Sequence, residues 1–297
     1  MRFPNLNITS TDFASSTYDN DIGIPYILMS KAPGRPLSET WKSARSNQPE
    51  LAEHKKVKVL RQLGAITHKL LHVRLDRIGS LFEEQGAFEV KECLLRGHVL
   101  HQRYTLEEVP RGPFSSETQF YDSLITAFTQ HAEVLPLLPH CFTAPLPSLR
   151  DYESDAQYRE AVNLWNAFVA VEEKIDTSEN RVDYVIAGDA LRDMIEPLDL
   201  RGTCLGGFPL WHPDLSVNNI YVDEDHNITC IIDWAFSSSV PDAVLLAPPG
   251  LPQSRDELSE DLVASFRDGF TSALLSTVGP TAVDIPASEP SSFYNRI

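Results

Sequence analysis

The chain has 297 residues, 42% of them hydrophobic, and a formal net charge of −17 at pH 7. This is enough for one large domain or two small ones with a real core. The acidic balance argues against nucleic acid or an anionic membrane as a partner, because both need basic surface on the protein. A cationic small molecule is compatible with it. No segment approaches the roughly 20 consecutive apolar residues of a membrane helix.

The N-terminal residues show no apolar core of a signal peptide. The cysteines stand far apart, without the paired spacing of a zinc site or a small disulfide scaffold. They are Cys93, Cys141, Cys204 and Cys230. The sequence therefore predicts buried thiols in a reducing compartment and a cytoplasmic protein.

Residues 1–21 are polar and lack periodicity, and this composition predicts a poorly ordered segment. Tyr26–Met29 is a short apolar run and predicts a strand. Pro33, Gly34 and Pro36 then predict a loop.

Leu51–Ile78 has apolar residues at helical spacing and predicts a long amphipathic helix. Its basic residues are expected on a solvated face rather than at an anion site. They are Lys55, Lys56, Lys58, Arg61 and Lys69. His68 and His72 have the i,i+4 spacing of some metal sites. No Glu stands between them as in His-Glu-x-x-His, and a helix-surface interpretation is favoured.

Residues 81–91 alternate around a Gln-Gly pair and predict a β-hairpin. Ser116 with Gln119, and Ser154 with Gln157, predict the starts of two helices as capping boxes. Further helices are predicted at Val182–Ile195 and Ser259–Leu275, and residues 237–252 are predicted to form a proline-rich loop. Without βαβ alternation, the pattern predicts an α+β fold that is mostly helical, with two β-hairpins.

The most informative stretch precedes Trp234. Two short apolar runs within residues 220–232 flank a cluster rich in Asp and Asn, which predicts a hairpin. Asp214 and Asn219 stand before this hairpin, and Asp233 closes its second strand. Because a hairpin folds back on itself, these three side chains can converge at one edge. Carboxylate and amide oxygens suit a hard cation such as Mg²⁺.

A His-x-Asp-(x)4-Asn run, followed across a hairpin by Asp, is the catalytic-loop pattern of kinases. The residues His212–Leu215 (His-Pro-Asp-Leu) and Ile231–Trp234 (Ile-Ile-Asp-Trp) resemble the aminoglycoside phosphotransferase and choline kinase-like family. Its members carry Ile-Asp-Trp where protein kinases carry Asp-Phe-Gly. An upstream stretch, Pro25–Leu37, resembles the hinge strand and linker of this family, most closely in its large fungal branch. The resemblance spans residues 22–276.

The resemblance implies a protein kinase-like fold and phosphoryl transfer from ATP, with Mg²⁺, to a hydroxyl of a small molecule. It implies that Asp214 is catalytic, orienting the acceptor hydroxyl and taking its proton. Asn219 and Asp233 are the implied Mg²⁺ ligands. His212, also in the catalytic loop, is expected to brace that loop by hydrogen bonds. Contacts from main-chain groups to the adenine edge are expected from Met29, Ser30 and Lys31.

The resemblance also implies a domain order. It comprises a disordered segment at 1–21, a hinge strand and linker at 22–36, a kinase-like C-terminal lobe at 37–276 and a polar tail at 277–297. The family's small lobe, with its phosphate-covering loop and lysine, is expected to be largely missing, since the first lysine is Lys31. Its loss would expose apolar surface, which predicts aggregation or a protein partner that covers it. Ala235 stands where family members often carry a second acid.

Three interpretations of the function stay open from the sequence. The chain is an active small-molecule kinase, a non-catalytic binding module of pseudokinase type, or a truncated gene product without independent activity. The second predicts weak or absent Mg²⁺·ATP binding despite an intact fold. A hydrolase is disfavoured because no Gly-x-Ser-x-Gly occurs.

Overall fold

In a computed structural model of the chain, the described residues are 11–15, 18–41, 51–84, 87–137, 149, 152, 154–170, 178–195, 206–252 and 257–277. The chain forms two compact units. The first unit comprises residues 1–75 and 206–297, and the second comprises residues 76–205. The predicted polar tail lies almost wholly outside the described residues, as do residues 1–10 of the predicted disordered N-terminus.

Helices and antiparallel strands both contribute, which confirms an α+β fold. The α-helices of the described part are α1 (Glu53–Leu71), α2 (Arg96–Val99), α3 (Glu117–Val134), α4 (Asp155–Ala170), α5 (Ser178–Ile195), α6 (Asp242–Leu246) and α7 (Glu260–Thr277). Its strands are β1 (Thr11–Ser15), β2 (Tyr26–Met29), β3 (Arg35–Pro36), β4 (Arg74–Leu75), β5 (Gly79–Glu84), β6 (Ala87–Lys91), β7 (Phe208–Trp211), β8 (Ile220–Val222), β9 (Ile228–Ile231) and β10 (Ser238–Ser239). None of these helices is long and apolar enough to cross a bilayer.

Strands β1 and β2 form an antiparallel hairpin. Strand β1 lies in the segment predicted to be poorly ordered, so that prediction is wrong for these residues. The physical reason is turn chemistry between the two strands. Asn20 Oδ1 accepts hydrogen bonds from the backbone N–H groups of Ile22 and Gly23, each at 2.9 Å, and Gly23 has the positive φ of 76° that such a turn favours. The predicted strand β2 therefore has a partner, which the sequence pattern did not reveal.

Helix α1 is central to the first unit and packs against α7 along a close crossing. A Cβ atom at Gly64 would lie 2.0 Å from the backbone oxygen of Phe266, and one at Gly269 would lie 1.8 Å from that of Arg61. The two backbones are therefore in direct contact. Helix α1 ends earlier than the predicted Ile78, because residues after His72 enter strand β4. The core around it contains Leu37, Trp41, Leu60, Leu63, Ile220, Ile231 and Phe266.

The basic residues of α1 do not form the fully solvated face that the pattern predicted. Lys56 is only 8% exposed. Its Nζ lies 5.8 Å from the ring centroid of Trp41 and 3.3 Å from a carboxylate oxygen of Glu53. Lys58 Nζ donates to the backbone oxygen of Asp225 at 2.8 Å. A lysine stem can cover an aromatic ring while its charge is paired, and helical periodicity does not register such contacts.

In the first unit, strands β7, β8 and β9 carry the predicted catalytic stretch. Strand β7 pairs with β4 and with β10, and β8 pairs with β3 and β9. The hairpin predicted within residues 220–232 is confirmed as β8 and β9. The proline-rich loop predicted at 237–252 is wrong in part, since it contains β10 and α6. Strand β10 has only two residues and depends on its long-range pairing with β7.

The second unit contains the predicted hairpin, as β5 and β6, and three of the predicted helices, α3, α4 and α5. Ser116 Oγ caps α3 by accepting from Gln119 N at 3.3 Å. The Gln119 side chain returns to Ser115 N at 3.1 Å rather than to Ser116, so the capping box is only half formed. The predicted burial of the cysteine thiols is confirmed for Cys93 in this unit and for Cys230 in the first unit.

Candidate catalytic loop and hairpin

The predicted catalytic loop directly follows strand β7 and begins at His212. The loop then tightens through two backbone hydrogen bonds, from Ser216 N to Asp214 O at 2.9 Å and from Asn219 N to Ser216 O at 3.0 Å. Ser38 N donates to Val217 O at 3.0 Å, which ties the loop to the segment after β3. Local turns therefore place His212, Asp214 and Asn219 in one compact stretch.

His212 uses both ring nitrogens inside this stretch. Its Nδ1 accepts from Asp214 N at 3.1 Å, so Nε2 carries the proton of the neutral ring and donates to Ile232 O at 2.9 Å. Trp234 packs edge-on against the ring at a centroid distance of 4.8 Å. Burial lowers the pKa of His212, and the nearby carboxylates of Asp214 and Asp233 act in the opposite direction. The neutral imidazole thus links the backbone of the loop to the end of the second hairpin strand through two hydrogen bonds.

Asn219 orients Asp214 directly. Its Nδ2 donates to Asp214 O at 2.8 Å and to Asp214 Oδ2 at 3.2 Å. Because the amide nitrogen faces Asp214, the amide oxygen of Asn219 points away from that carboxylate. Asn219 is buried, which fixes its side chain in this orientation.

Asp233 is brought to the same edge by the strand that precedes it. Ile232 N donates to Asn219 O at 2.9 Å, one residue before Asp233. Asp233 itself is exposed and has a left-handed φ of 59°. Non-glycine residues adopt this region at a cost, and such residues cluster at functional sites. The sequence predicted the convergence of these residues but carried no glycine to mark the left-handed turn.

The far end of the hairpin is fastened to α1. Asp223 closes the turn by accepting from the backbone and the side chain of Asn227, each at 2.8 Å. These hydrogen bonds lower the pKa of Asp223. Gln62 donates to His226 O at 3.0 Å and accepts from Ile228 N at 2.9 Å. The Asp-rich turn is thus a docked structural element, and sequence reasoning missed Gln62 as its partner.

Met29, Ser30 and Lys31 lie where β2 ends, and Ser30 and Lys31 are exposed. Just downstream, two contacts join this segment to the β8–β9 hairpin. Thr229 Oγ1 donates to Pro33 O at 2.5 Å, and Arg35 stands opposite Val222 in the β3–β8 pair.

An ion pair between residues far apart in sequence stabilises the backbone that leads into β7. Arg74 Nη1 lies 2.6 Å from Asp242 Oδ1, across 168 positions of sequence. The same guanidinium donates through Nε to Gly206 O at 2.8 Å and through Nη2 to Gly207 O. Both glycines precede β7, so this pair fixes the backbone that leads into the catalytic loop.

The donor set at this edge suits Mg²⁺. Among the described residues, no group of three or more His, Cys, Asp and Glu side chains is placed to hold a metal ion. Mg²⁺, however, is usually held by one or two carboxylates together with substrate phosphates and water, rather than by an all-protein cage. The amide oxygen of Asn219 and the exposed carboxylate of Asp233 are hard oxygen ligands of that kind.

Comparisons of the chain with protein-family models, with curated proteins and with solved structures give no match. The function is therefore inferred from the residues and contacts described above.

Proposed function

We propose that this chain is a small-molecule kinase of the aminoglycoside phosphotransferase type, with a protein kinase-like fold. It transfers the γ-phosphoryl group of ATP to a hydroxyl group. One observation carries the proposal: Asn219 contacts Asp214 through its side chain and Ile232, the neighbour of Asp233, through its backbone. Asp214 and Asn219 are thereby joined by side-chain hydrogen bonds, and Asp233 directly follows the residue that donates to the backbone of Asn219.

The roles are those that the family resemblance implies, and the contacts above support them. Phosphoryl transfer depends mainly on positioning and on neutralisation of charge. Asp214, oriented by Asn219 and His212, holds the acceptor hydroxyl and accepts its proton as the new O–P bond forms. Asn219 and Asp233 would hold Mg²⁺, which when bound would offset the negative charge of the phosphates. Main-chain groups of residues 29–31 would contact the adenine edge.

The acceptor class is suggested by charge. With a net charge of −17, the protein attracts cations more readily than anions. A cationic hydroxyl compound, such as an amino sugar or an amino alcohol, is therefore the acceptor class to screen first.

The first test is thermal unfolding with and without Mg²⁺·ATP, in the wild type and in Asp233→Asn. A ligand at about 100 times its dissociation constant stabilises the native state by roughly 2.7 kcal/mol. We expect a Mg²⁺-dependent shift in the wild type that Asp233→Asn loses. Asp225→Asn is the matched control, because it removes the same charge from an exposed carboxylate in the turn of the same hairpin. Its shift should equal that of the wild type.

The second test separates binding from catalysis. Asp214→Asn should retain the Mg²⁺·ATP shift but lose ADP release with hydroxyl acceptors by about 10²–10⁴-fold, the usual contribution of a positioned base. A nucleotide shift without turnover over a broad acceptor panel would support a non-catalytic binding module instead. No shift in a cooperatively unfolding wild type would contradict nucleotide binding altogether.

A further inference from the structure

The histidine pair on α1 takes no part in the proposed reaction. His68 and His72 lie one helical turn apart with their Nε2 atoms 3.3 Å from each other. The rings meet edge to face, with centroids 4.8 Å apart and an interplanar angle of 73°. His68 is 2% exposed, whereas His72 is exposed to solvent.

The distance between the two nitrogens matches the distance between two ligands of a tetrahedral metal ion. Two ligands at Zn–N distances of about 2.0–2.1 Å in a tetrahedron are roughly 3.3–3.4 Å apart. The i,i+4 spacing is also that of the zinc-binding pair in His-Glu-x-x-His helices. His68 is held in place by Phe270 of α7, whose ring packs edge-on at a centroid distance of 5.3 Å. The first ligand is therefore pre-oriented, and the second is open to solvent.

We propose that His68 and His72 form a two-histidine Zn²⁺ site at the C-terminal end of α1. In the bound state each neutral imidazole presents its Nε2 lone pair to the ion and carries its proton on Nδ1. The imidazole that carries its proton on Nε2 in the hydrogen-bonded pair therefore changes tautomer, and that proton moves to its Nδ1 by exchange with water. Water or an external ligand fills the remaining positions beside the exposed His72.

The intervening residues decide what such a site does. The sequence between the two histidines is Lys-Leu-Leu, with no carboxylate to activate a metal-bound water. The site is therefore a binding and stabilising one rather than a hydrolytic centre. Zn²⁺ that binds only the folded helix should stabilise the native state in proportion to its occupancy. This role is independent of the proposed phosphoryl transfer.

The test is calorimetric titration of the full chain with Zn²⁺ in excess Mg²⁺, with wild type and His72→Ala compared. The expected result is one Zn²⁺ per wild-type chain, weakened about tenfold or more in His72→Ala. Loss of a direct ligand should cost at least as much as the 10–100-fold typical of outer-shell partners. His54→Ala is the matched control, since His54 is an exposed histidine in the first turn of the same helix.

Two further measurements make the result decisive. Unfolding without metal should stay cooperative in His72→Ala and lose only the contribution of the His68–His72 contact, so that weaker Zn²⁺ binding is not a loss of the fold. Asp233→Asn should keep the Zn²⁺ titration of the wild type, which separates this site from the predicted Mg²⁺ ligands. Wild-type affinity in His72→Ala, or no Zn²⁺ binding by the wild type, would overturn the proposal.

Discussion

Asn219 donates its side-chain amide to Asp214 at two points, the backbone oxygen at 2.8 Å and the carboxylate oxygen Oδ2 at 3.2 Å. A donor is required at this position, because both partners are acceptors. The pair is also largely shielded from water, since Asn219 is buried. The position of Asp214 therefore depends on the identity of residue 219.

Replacement of Asn219 by Asp should destabilise the fold by about 1–3 kcal/mol, since a carboxylate would face two acceptors that have lost their donor. Urea unfolding at neutral pH measures the change. Asn218→Asp is the control, because it adds the same charge at the neighbouring exposed position and should change stability by less than about 0.5 kcal/mol. Equal losses in the two variants would show that added charge, rather than the lost donor, is responsible.

Local pattern was sufficient for the hairpin that presents this site. Alternation of apolar residues and the Asp-Asn cluster predicted β8 and β9, and chain reversal predicted that Asp214, Asn219 and Asp233 converge. The hairpin and the contact between Asp214 and Asn219 depend on neighbours in sequence, so periodicity and turn chemistry capture them. The family assignment and the roles of the residues stay predictions.

Features that depend on long-range pairing were missed. Strand β10 exists only because Ser238 and Ser239 lie opposite Trp211 and Leu210, and no alternation can show in two residues. The charge on Lys56 predicted exposure, but Trp41 and Glu53 keep that lysine buried. The left-handed φ of Asp233 is also invisible in the sequence, because no glycine marks it.

A buried histidine in the second unit predicts acid sensitivity. Ser123 Oγ donates to Pro110 O, so it accepts from His98 Nε2–H at 2.9 Å. His98 Nδ1 is then buried without a hydrogen-bond partner. Burial, assisted by the positive charges of Arg111 and Arg103, lowers the pKa of His98 to about 4.

The sign of the pH effect follows from this pKa. The unfolded chain takes up a proton on His98 near pH 6.5, whereas the native protein does so only near pH 4. The contribution of neutral, buried His98 to the unfolding free energy is therefore complete above pH 6.5. It is lost progressively as the pH falls toward 4. The loss is on the order of 3 kcal/mol, because each pKa unit corresponds to about 1.4 kcal/mol.

His98→Gln tests this linkage, since Gln keeps a side-chain N–H donor but cannot take up the proton. The variant should be less stable than the wild type at pH 7, where packing is perturbed. The difference in unfolding free energy should shrink as pH falls from 7 to 4. A constant difference over this range would contradict the assigned role of His98.

At the α1–α7 crossing, replacement of glycine by alanine should destabilise the fold rather than stabilise it. In a helix interior, Gly→Ala normally stabilises by about 0.5–1 kcal/mol. Gly64→Ala should instead destabilise by about 1–3 kcal/mol or more, since its Cβ would lie 2.0 Å from the backbone oxygen of Phe266. Gly269→Ala should behave alike, because its Cβ would meet Arg61 O at 1.8 Å.

Chemical unfolding of the two single variants and of the double variant checks this crossing. Both substitutions push the same two backbones apart, so the double variant should lose less than the sum of the single losses. Stabilisation by either single substitution would show that the helices are not in backbone contact.

The Arg74–Asp242 pair predicts an asymmetry between its two partners. The side chains of Arg74 and Asp242 are only 15% and 10% exposed, and Asp242 Oδ2 is buried without a hydrogen-bond partner. Arg74→Met would leave the carboxylate buried and unpaired, and would also release the backbone oxygens of Gly206 and Gly207. We expect a loss of about 3–5 kcal/mol. Asp242→Asn should lower the free energy of unfolding by less than Arg74→Met does, because Arg74 keeps its carbonyl partners.

A double-mutant cycle in urea measures this coupling. Arg74→Met combined with Asp242→Asn should be less destabilising than the sum of the two single variants, because the uncompensated charge is gone. Arg61→Met is the matched control. Its ion pair with Asp268 spans 3.5 Å between side chains that are 58% and 66% exposed, and exposed pairs of this kind contribute about 0–1 kcal/mol. Equal losses at Arg74 and Arg61 would mean that the buried pair does not support the entrance to β7.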